Sequence, residues 1–206
     1  MLQYQNNNDT INTVVQKNVL NFCTILLSHC NKWNFLLTEA IKPVQALVNF
    51  SEQLRHVEKA NIKYIDDFED LQQKLLYKIT SEIEDEIQLI KDILSRLSAA
   101  NQLVKNRLSI LEKSTIDLDW EEITDLIKGN AFQPPLYRIL QDGYEFMMFF
   151  TNALKSMNES FKILNVRNEK IMNDFENKFK LDLESNLVVN NFLAIVQYVG
   201  NEKSVI

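Results

Sequence analysis

Apolar residues recur every three or four positions along most of the chain, which is the spacing of one face of an α-helix. The most regular run consists of Leu71, Leu75, Ile79, Ile83, Ile87, Ile90, Leu94, Leu97, Asn101, Val104, Leu108 and Leu111. It predicts a single helix of about 45 residues, about 65 Å long. A core of this size cannot cover such a helix along its whole length, so we expect part of the run to pack as a coiled-coil-like seam. Asn101 either fixes the register of this seam or is a tolerated, water-facing residue.

An earlier helical region is predicted from about Thr10 to Ala60, with Asp9 or Thr10 as its N-cap. Pro43 lies inside this region. A proline removes one helical hydrogen bond and disfavours the helical conformation of the residue before it. We therefore expect a kink or a break near residues 41–42.

Two connections separate the predicted helices. Residues 61–67 form a short linker, and Asp66 or Asp67 is a candidate N-cap for the helix that follows. Residues 115–133 resemble a helical insertion. Within it Asp119 is placed to cap a helix, and Gly129 is placed to end one.

The last third of the chain predicts two more helices. Pro134 and Pro135 start one of them, as proline is favoured in a first helical turn. Its apolar run is Leu136, Leu140, Tyr144, Met147, Phe150, Leu154, Met157, Phe161, Leu164 and Ile171. Within it the segment 144–150 is apolar on nearly every side, which predicts burial all round. Residues 182–199 supply a final helix.

These elements predict an all-α fold, an elongated antiparallel helical bundle or coiled coil with a few long helices. The prediction is one domain over residues 1–206, with flexible ends at 1–9 and 200–206. Three glycines and three prolines in 206 residues leave few sites for turns, in agreement with long helices.

The charge, the hydropathy and the cysteine content argue against several classes of protein. The formal charge is −6, and the basic residues are scattered among acidic ones, so we expect no direct nucleic-acid binding. No apolar stretch is long enough to span a membrane, and the first residues do not resemble a signal peptide. Cys23 and Cys30 are too far apart on one helix to form a disulfide, and they are interpreted as small core residues in a reducing compartment.

Candidate chemistry is sparse. His29 and His56 are the two histidines, and neither lies in a zinc-binding spacing with the cysteines. The acidic residues between Glu82 and Glu86 point in different directions on a helix, so we interpret them as a solvated face. We expect no catalytic residue, no metal and no cofactor. A helical-bundle enzyme would need a polar constellation buried between helices and stays a weaker alternative.

A set of dispersed residues resembles the AIRIM family of ribosome-maturation factors over about residues 30–200. These are Trp33, Leu36 or Leu37, Pro43, Leu47, Asn49, Glu52-Gln53-Leu54, Phe68-Glu69-Asp70-Leu71, Leu75, Lys78, Ile83, Pro134-Pro135-Leu136 and the segment 187–192. The related protein CINP shares the Pro-Pro-Leu elbow, but the Glu-Gln-Leu and Phe-x-Asp-Leu elements favour AIRIM.

The resemblance implies a non-catalytic adaptor. The family pairs with a CINP-like helical protein on a type II AAA+ ATPase of the Afg/SPATA class. That assembly releases a placeholder factor from pre-60S ribosomal particles, so contact with the particle is indirect and the location is cytoplasmic and nuclear. The alternative is a coiled-coil subunit of a kinetochore or tethering complex.

Large apolar side chains are the types that anchor protein–protein contacts. The candidates for binding a partner are Trp33, Phe68, Leu71, Leu94, Leu97, Asn101, Pro134, Pro135, Leu136, Phe146 and Phe149.

Overall fold

The structure, a computed structural model, describes residues 2–60 and 68–199, with side chains described from residue 9 onward. The helices are α1 (Leu2–Lys59), α2 (Phe68–Ser114), α3 (Asp125–Lys128), α4 (Leu136–Lys162), α5 (Glu169–Lys178) and α6 (Leu187–Val196). No strand occurs within those ranges. The all-α prediction is confirmed.

Helix α1 is continuous past both points where the sequence predicts an end. It begins at Leu2, so the N-cap predicted at Asp9 or Thr10 is wrong. Pro43 lies inside the helix, which is not broken there. The side chains of Ala40 and Val44, on either side of the proline, are buried. Tertiary packing on both sides therefore holds the helix together despite the missing hydrogen bond.

Helix α2 is one uninterrupted helix of 47 residues, in agreement with the predicted run. The run is buried or half-buried from Ile79 to Leu111. Its first two members differ, because Leu71 is 60% exposed and Leu75 is 42% exposed. The N-cap predicted at Asp66 or Asp67 lies outside the described residues.

The segment before α4 is made of turns and the short helix α3. Thr124 caps α3 by accepting a hydrogen bond from the Ile127 amide over 3.4 Å, so the cap predicted at Asp119 is wrong. Gly129 ends α3 as predicted, with φ of 80°. Pro135 accepts hydrogen bonds from the amides of the residues three and four positions later, so it is the cap of α4 and not a residue of its first turn.

Helix α4 ends at Lys162, so the helical run predicted to continue to Ile171 is wrong. Asparagine side chains explain the interruption. Asn165 accepts a hydrogen bond from the Arg167 amide over 3.0 Å. Asn168 accepts one from the Ile171 amide over 3.1 Å and caps α5. Such local bonds compete with helix continuation.

The chain divides into two compact units. The first comprises residues 1–33, 99–152 and 182–206, and the second comprises residues 34–98 and 153–181. Each unit therefore uses its own segments of α1, α2 and α4.

In the first unit the three long helices alternate in direction. Asn101 of α2 bonds to the backbone of Phe150 in α4, while Leu108 lies beside Gly143. These two helices are therefore antiparallel. Close contacts of Phe22 with Gly143 and of Trp33 with Phe150 make α1 and α4 parallel.

In the second unit α1 and α2 form an antiparallel pair. Arg96 donates two hydrogen bonds to Glu39, one of them over 2.9 Å. Farther along α1, the Gln72 amide donates to the carbonyl of Val57 over 2.6 Å and to that of Ala60 over 3.1 Å. Gln72 thereby adds a partner to the Val57 carbonyl, which also accepts a bond from the Ala60 amide, and gives the Ala60 carbonyl a partner beyond the end of α1.

Two arginine contacts hold the connection between α4 and α5 against the end of α1 in the second unit. Arg55 donates to the carbonyl of Val166 over 3.2 Å. Arg167 donates to the carboxylate of Glu58 over 2.9 Å. Helix α5 then buries Met172 and Phe175, and Phe175 contacts Phe161 of α4 with ring centroids 6.2 Å apart.

Candidate protein-binding surfaces

Asn101 is the polar centre of the first unit. It is 7% exposed, which excludes the water-facing interpretation. Its amide oxygen accepts a hydrogen bond from the indole of Trp33 over 2.9 Å, and its amide nitrogen donates to the carbonyl of Phe150 over 3.1 Å. One side chain thus links α1, α2 and α4. Because each of these groups would be costly to bury without a partner, Asn101 fixes the register of the three helices within the chain.

An aromatic cluster surrounds this polar centre. Trp33 and Phe150 lie 4.9 Å apart between ring centroids, as do Phe146 and Phe150. Phe192 of α6 contacts both Phe22 and Phe146, at 6.2 Å and 5.7 Å. Tilted and edge-on arrangements at these distances are the favoured geometries for aromatic pairs. The cluster is therefore an internal core.

His29 is buried inside the same cluster. Its ring lies edge-on to Phe150 at 4.5 Å, and its Nε2 atom has no hydrogen-bond partner among the described groups. Burial lowers the pKa of His29 to about 4, although a hydrogen bond to the Ala100 backbone opposes the shift. His29 is therefore neutral near pH 7 and serves as a packing residue.

Both cysteines are buried, reduced core residues, as predicted. Burial raises the pKa of the Cys23 thiol to about 12 and that of Cys30 to about 11. Both thiols therefore stay protonated near neutral pH and are poor nucleophiles.

The structure separates the predicted partner-binding residues into two groups. Buried in the chain's own core are Trp33, Leu94, Leu97, Asn101, Leu136 and Phe146. Half-buried or exposed are Phe68, Leu71, Pro134, Pro135 and Phe149. Only the second group is accessible to a partner in this fold. Binding by any of them stays a prediction.

Helix α4 carries an exposed face that the sequence interpretation missed. Tyr137, Gln141, Tyr144 and Met148 follow one another at spacings of four, three and four, so they lie on the same side of the helix. Tyr137 is 60% exposed, Tyr144 57% and Met148 40%. The prediction that segment 144–150 is buried all round is therefore wrong for Tyr144, Glu145 and Met148. We call these four residues the α4 face.

The spacing could have revealed the α4 face. Leu136, Ile139, Phe146 and Phe150 are fully buried and lie on the other side of the helix. The predicted apolar run of this helix contains both Tyr144 and Met147. It therefore mixed a residue of the exposed side with a residue of the buried side. The four uncharged residues at spacings of four, three and four are present in the sequence. The many aromatic residues around them led instead to the prediction of a buried segment.

A second uncovered surface lies between α2 and α3. Ile116 is 76% exposed, Trp120 44% and Ile123 75%, whereas Leu118 of the same segment and Leu126 of α3 are buried. The segment runs through consecutive turns, with hydrogen bonds from the amide of Leu118 to the carbonyl of residue 115 and from that of residue 122 to the carbonyl of residue 119. We call residues 115–125 the turn segment.

Contacts with α1 hold the turn segment and the residues after it in place. The side chains of Gln16 and Gln133 exchange two hydrogen bonds, of 2.6 Å and 3.2 Å. Asn12 donates to the carboxylate of Glu122 over 3.4 Å. Asn130 accepts bonds from the amides of residues 132 and 133 over 2.8 Å and 2.9 Å. The exposed side chains are thus presented from an ordered support.

Comparison with known proteins assigns the chain to a family. Residues 13–194 match the family described as "Ribosome biogenesis protein C1orf109-like". The match covers most of the chain and includes both units. The chain belongs to this family. C1orf109 is AIRIM, so the resemblance predicted from the sequence is confirmed. No curated protein matches the chain.

Two further properties of this C1orf109-like ribosome biogenesis protein concern its described residues. None of the helices there is both long and apolar enough to cross a membrane. No group of three or more His, Cys, Asp or Glu side chains in that part of the chain is arranged to hold a metal ion.

Proposed function

We propose that this chain is a non-catalytic adaptor subunit of a type II AAA+ ATPase complex that remodels pre-60S ribosomal particles and releases a placeholder maturation factor. Membership of the C1orf109-like family supports a role in ribosome biogenesis. The α4 face is the observation that carries the adaptor role, because an adaptor needs uncovered side chains suited to binding another protein.

The composition of the α4 face fits a helical partner. Tyrosine and methionine are enriched in protein interfaces, and the tyrosine side chain loses little freedom on binding because it has only two rotatable bonds. Residues at spacings of four, three and four form a straight ridge that a second helix can pack along. The ridge is uncharged, so burying it requires no compensating ion pairs. A CINP-like helical protein is the proposed occupant.

Buried polar groups elsewhere are consistent with a structural role. Asn101 is fully used in linking three helices. Ser51 donates to the carbonyl of Leu47 in its own helix over 2.7 Å. Gln133 is paired with Gln16. These groups are engaged in holding the fold together, which supports the non-catalytic part of the proposal.

Affinity purification of the full-length chain from cells, followed by mass spectrometry, tests the proposal. We expect recovery of an Afg/SPATA-class AAA+ ATPase and a CINP-like protein. The double substitution Tyr144→Ala and Met148→Ala is expected to reduce recovery of the helical partner about tenfold or more. Tyr77→Ala is the matched control, since Tyr77 is 79% exposed on α2 and should leave recovery unchanged.

A cellular assay tests the downstream role. Depletion of the chain should leave the placeholder factor on cytoplasmic pre-60S particles, and the Tyr77→Ala variant should restore release while the double variant should not. Recovery of kinetochore or tethering subunits in place of an ATPase would contradict the proposal. So would full activity of the double variant.

A further inference from the structure

We propose that the turn segment is a docking site for a basic peptide segment that carries apolar side chains. The observations that point to it are uncovered apolar residues on an ordered support, with carboxylates interspersed among them in the sequence. The inference is separate from the adaptor role, because peptide binding is measured with the chain alone.

The apolar part of the site is unusually exposed for its size. Ile116 and Ile123 are about three-quarters uncovered, and the indole of Trp120 lies between them in sequence. Leu118 within the segment and Leu126 in α3 just after it are buried. The chain therefore exposes Ile116, Trp120 and Ile123 while it buries Leu118 between the first two of them. Tryptophan with neighbouring aliphatic groups is a combination found at the centres of protein interfaces.

The charge of the site determines what it binds. Asp117, Asp119, Glu121, Glu122 and Asp125 fall within nine residues, and no lysine or arginine occurs between positions 114 and 127. In the described part of the chain, no ion pair reaches any of these five carboxylates. Apolar groups framed by uncompensated negative charge favour a partner with lysine or arginine beside apolar residues, and repel acidic proteins.

The attachment to α1 makes the site preorganised. Gln133 is 5% exposed and pairs with Gln16, while Asn12 contacts Glu122. Because the support is already ordered, a peptide that binds does not have to fix the conformation of the segment. Binding of a short peptide is therefore expected to be measurable without other subunits.

The test uses the full-length chain and three synthetic peptides of the same length with a fluorescent label. The first alternates lysine or arginine with leucine, the second replaces the basic residues by glutamate, and the third replaces the leucines by serine. Only the first is expected to bind, with a Kd in the range of about 1–100 μM that weakens as salt is added. Equal binding of the acidic peptide would overturn the proposal, as would no binding of the basic one.

Substitutions locate the site. Ile123→Ser is expected to weaken binding about tenfold, and the pair Asp117→Asn with Glu121→Gln about fivefold. Matched controls on α2 are Leu89→Ser, at a position 54% exposed, and the pair Glu84→Gln with Asp85→Asn. Loss of binding in the controls to the same degree would show nonspecific attraction and overturn the assignment.

Tryptophan fluorescence gives an independent readout. Trp33 is fully buried and Trp120 is 44% exposed, so the neutral quencher acrylamide acts mainly on Trp120. The basic apolar peptide should protect Trp120 from quenching at concentrations that saturate binding. Binding without such protection would place the peptide elsewhere and contradict the proposal. Circular dichroism of each variant confirms that the helices are retained.

Discussion

The indole nitrogen of Trp33 donates a hydrogen bond to the amide oxygen of Asn101 over 2.9 Å, between residues 68 positions apart in the sequence. Both side chains are buried. The bond fixes the register of α1 against α2, since a shift by one helical turn would leave two polar groups buried without partners. Asn101, a polar residue in the apolar run of α2, thus determines how α1 and α2 align within the chain.

Replacing Asn101 with leucine should lower the free energy of unfolding by about 2 kcal/mol, because the Trp33 indole N–H then has no acceptor. The double variant, Asn101→Leu with Trp33→Phe, should lose less free energy of unfolding than the sum of the losses in the two single variants. Urea denaturation of the four proteins gives the coupling energy. Strictly additive effects would show that the hydrogen bond does not link the two residues.

Stability should depend on pH through His29. Burial lowers the pKa of His29 in the folded chain to about 4 from an ordinary value of 6.5. Between these values the unfolded chain binds a proton that the folded chain does not, so stability is fully present above pH 6.5, falls as pH is lowered and levels off below pH 4. The loss is about 3 kcal/mol at about 1.4 kcal/mol per pKa unit.

The His29→Leu variant should show a smaller loss over this pH range in denaturant titrations. His56→Leu is the control for replacing a histidine by leucine, because His56 is exposed near the end of α1. The same pH dependence in wild type and His29→Leu would assign the effect to other groups.

Gly143 should not tolerate alanine. A Cβ atom there would lie 2.9 Å from two ring atoms of Phe22, which is fully buried. Alanine normally stabilises a helix relative to glycine by about 1 kcal/mol, but overpacking a core costs about 1–3 kcal/mol. We expect net destabilisation of about 1 kcal/mol in thermal or urea unfolding. Thr151→Ala on the exposed side of α4 should be neutral or stabilising, and a stabilised Gly143→Ala variant would refute the close packing.

The amide pair of Gln16 and Gln133 should hold the end of the loop before α4. Gln133→Ala removes both hydrogen bonds and leaves the Gln16 amide partly buried, at a cost of about 1 kcal/mol. Hydrogen exchange should become faster across residues 115–133 and change little in α5. Gln102→Ala provides the control, because Gln102 bonds only to a neighbouring side chain on the exposed surface of α2. Unchanged exchange would mean that other contacts determine the order of the loop.

Leu97 and Leu89 lie on the same helix but differ in burial. Leu97 is fully buried and Leu89 is 54% exposed. Leu97→Ala should destabilise the chain by about 3 kcal/mol, whereas Leu89→Ala should change stability by about 0.5 kcal/mol or less. Similar effects for the two would contradict the orientation of α2. Charge substitution at Leu97 would therefore impair binding of any partner through unfolding of the second unit.

The helices could be predicted from the sequence because apolar spacing alone sets their buried sides. The run in α2 from Ile79 onward needed no knowledge of its neighbour, since any apolar partner satisfies the same pattern. The apolar run does not show which element of the structure covers it. The apolar side is covered by other helices of the same chain, and only Leu71 and Leu75 at its start are left exposed.

Other errors arose where tertiary contacts or side-chain capping override local preference. Pro43 predicts a break because proline weakens an isolated helix, but burial on both sides compensates. The end of α4 depends on Asn165 and Asn168. Asparagine also occurs within the helices of this chain, so its presence alone does not predict a helix end. For Tyr144, composition indicated a core residue, and only its position relative to Phe146 shows that it faces outward.

The place of α6 has a consequence for biosynthesis. Phe192 packs on Phe22 and Phe146, so the aromatic core of the first unit joins residues that precede the second unit in the chain to residues that follow it. The residues of the second unit are all synthesised before α6 emerges. The second unit can thus acquire its full set of helices before α6 is available, whereas the first keeps part of its aromatic core uncovered until α6 has emerged.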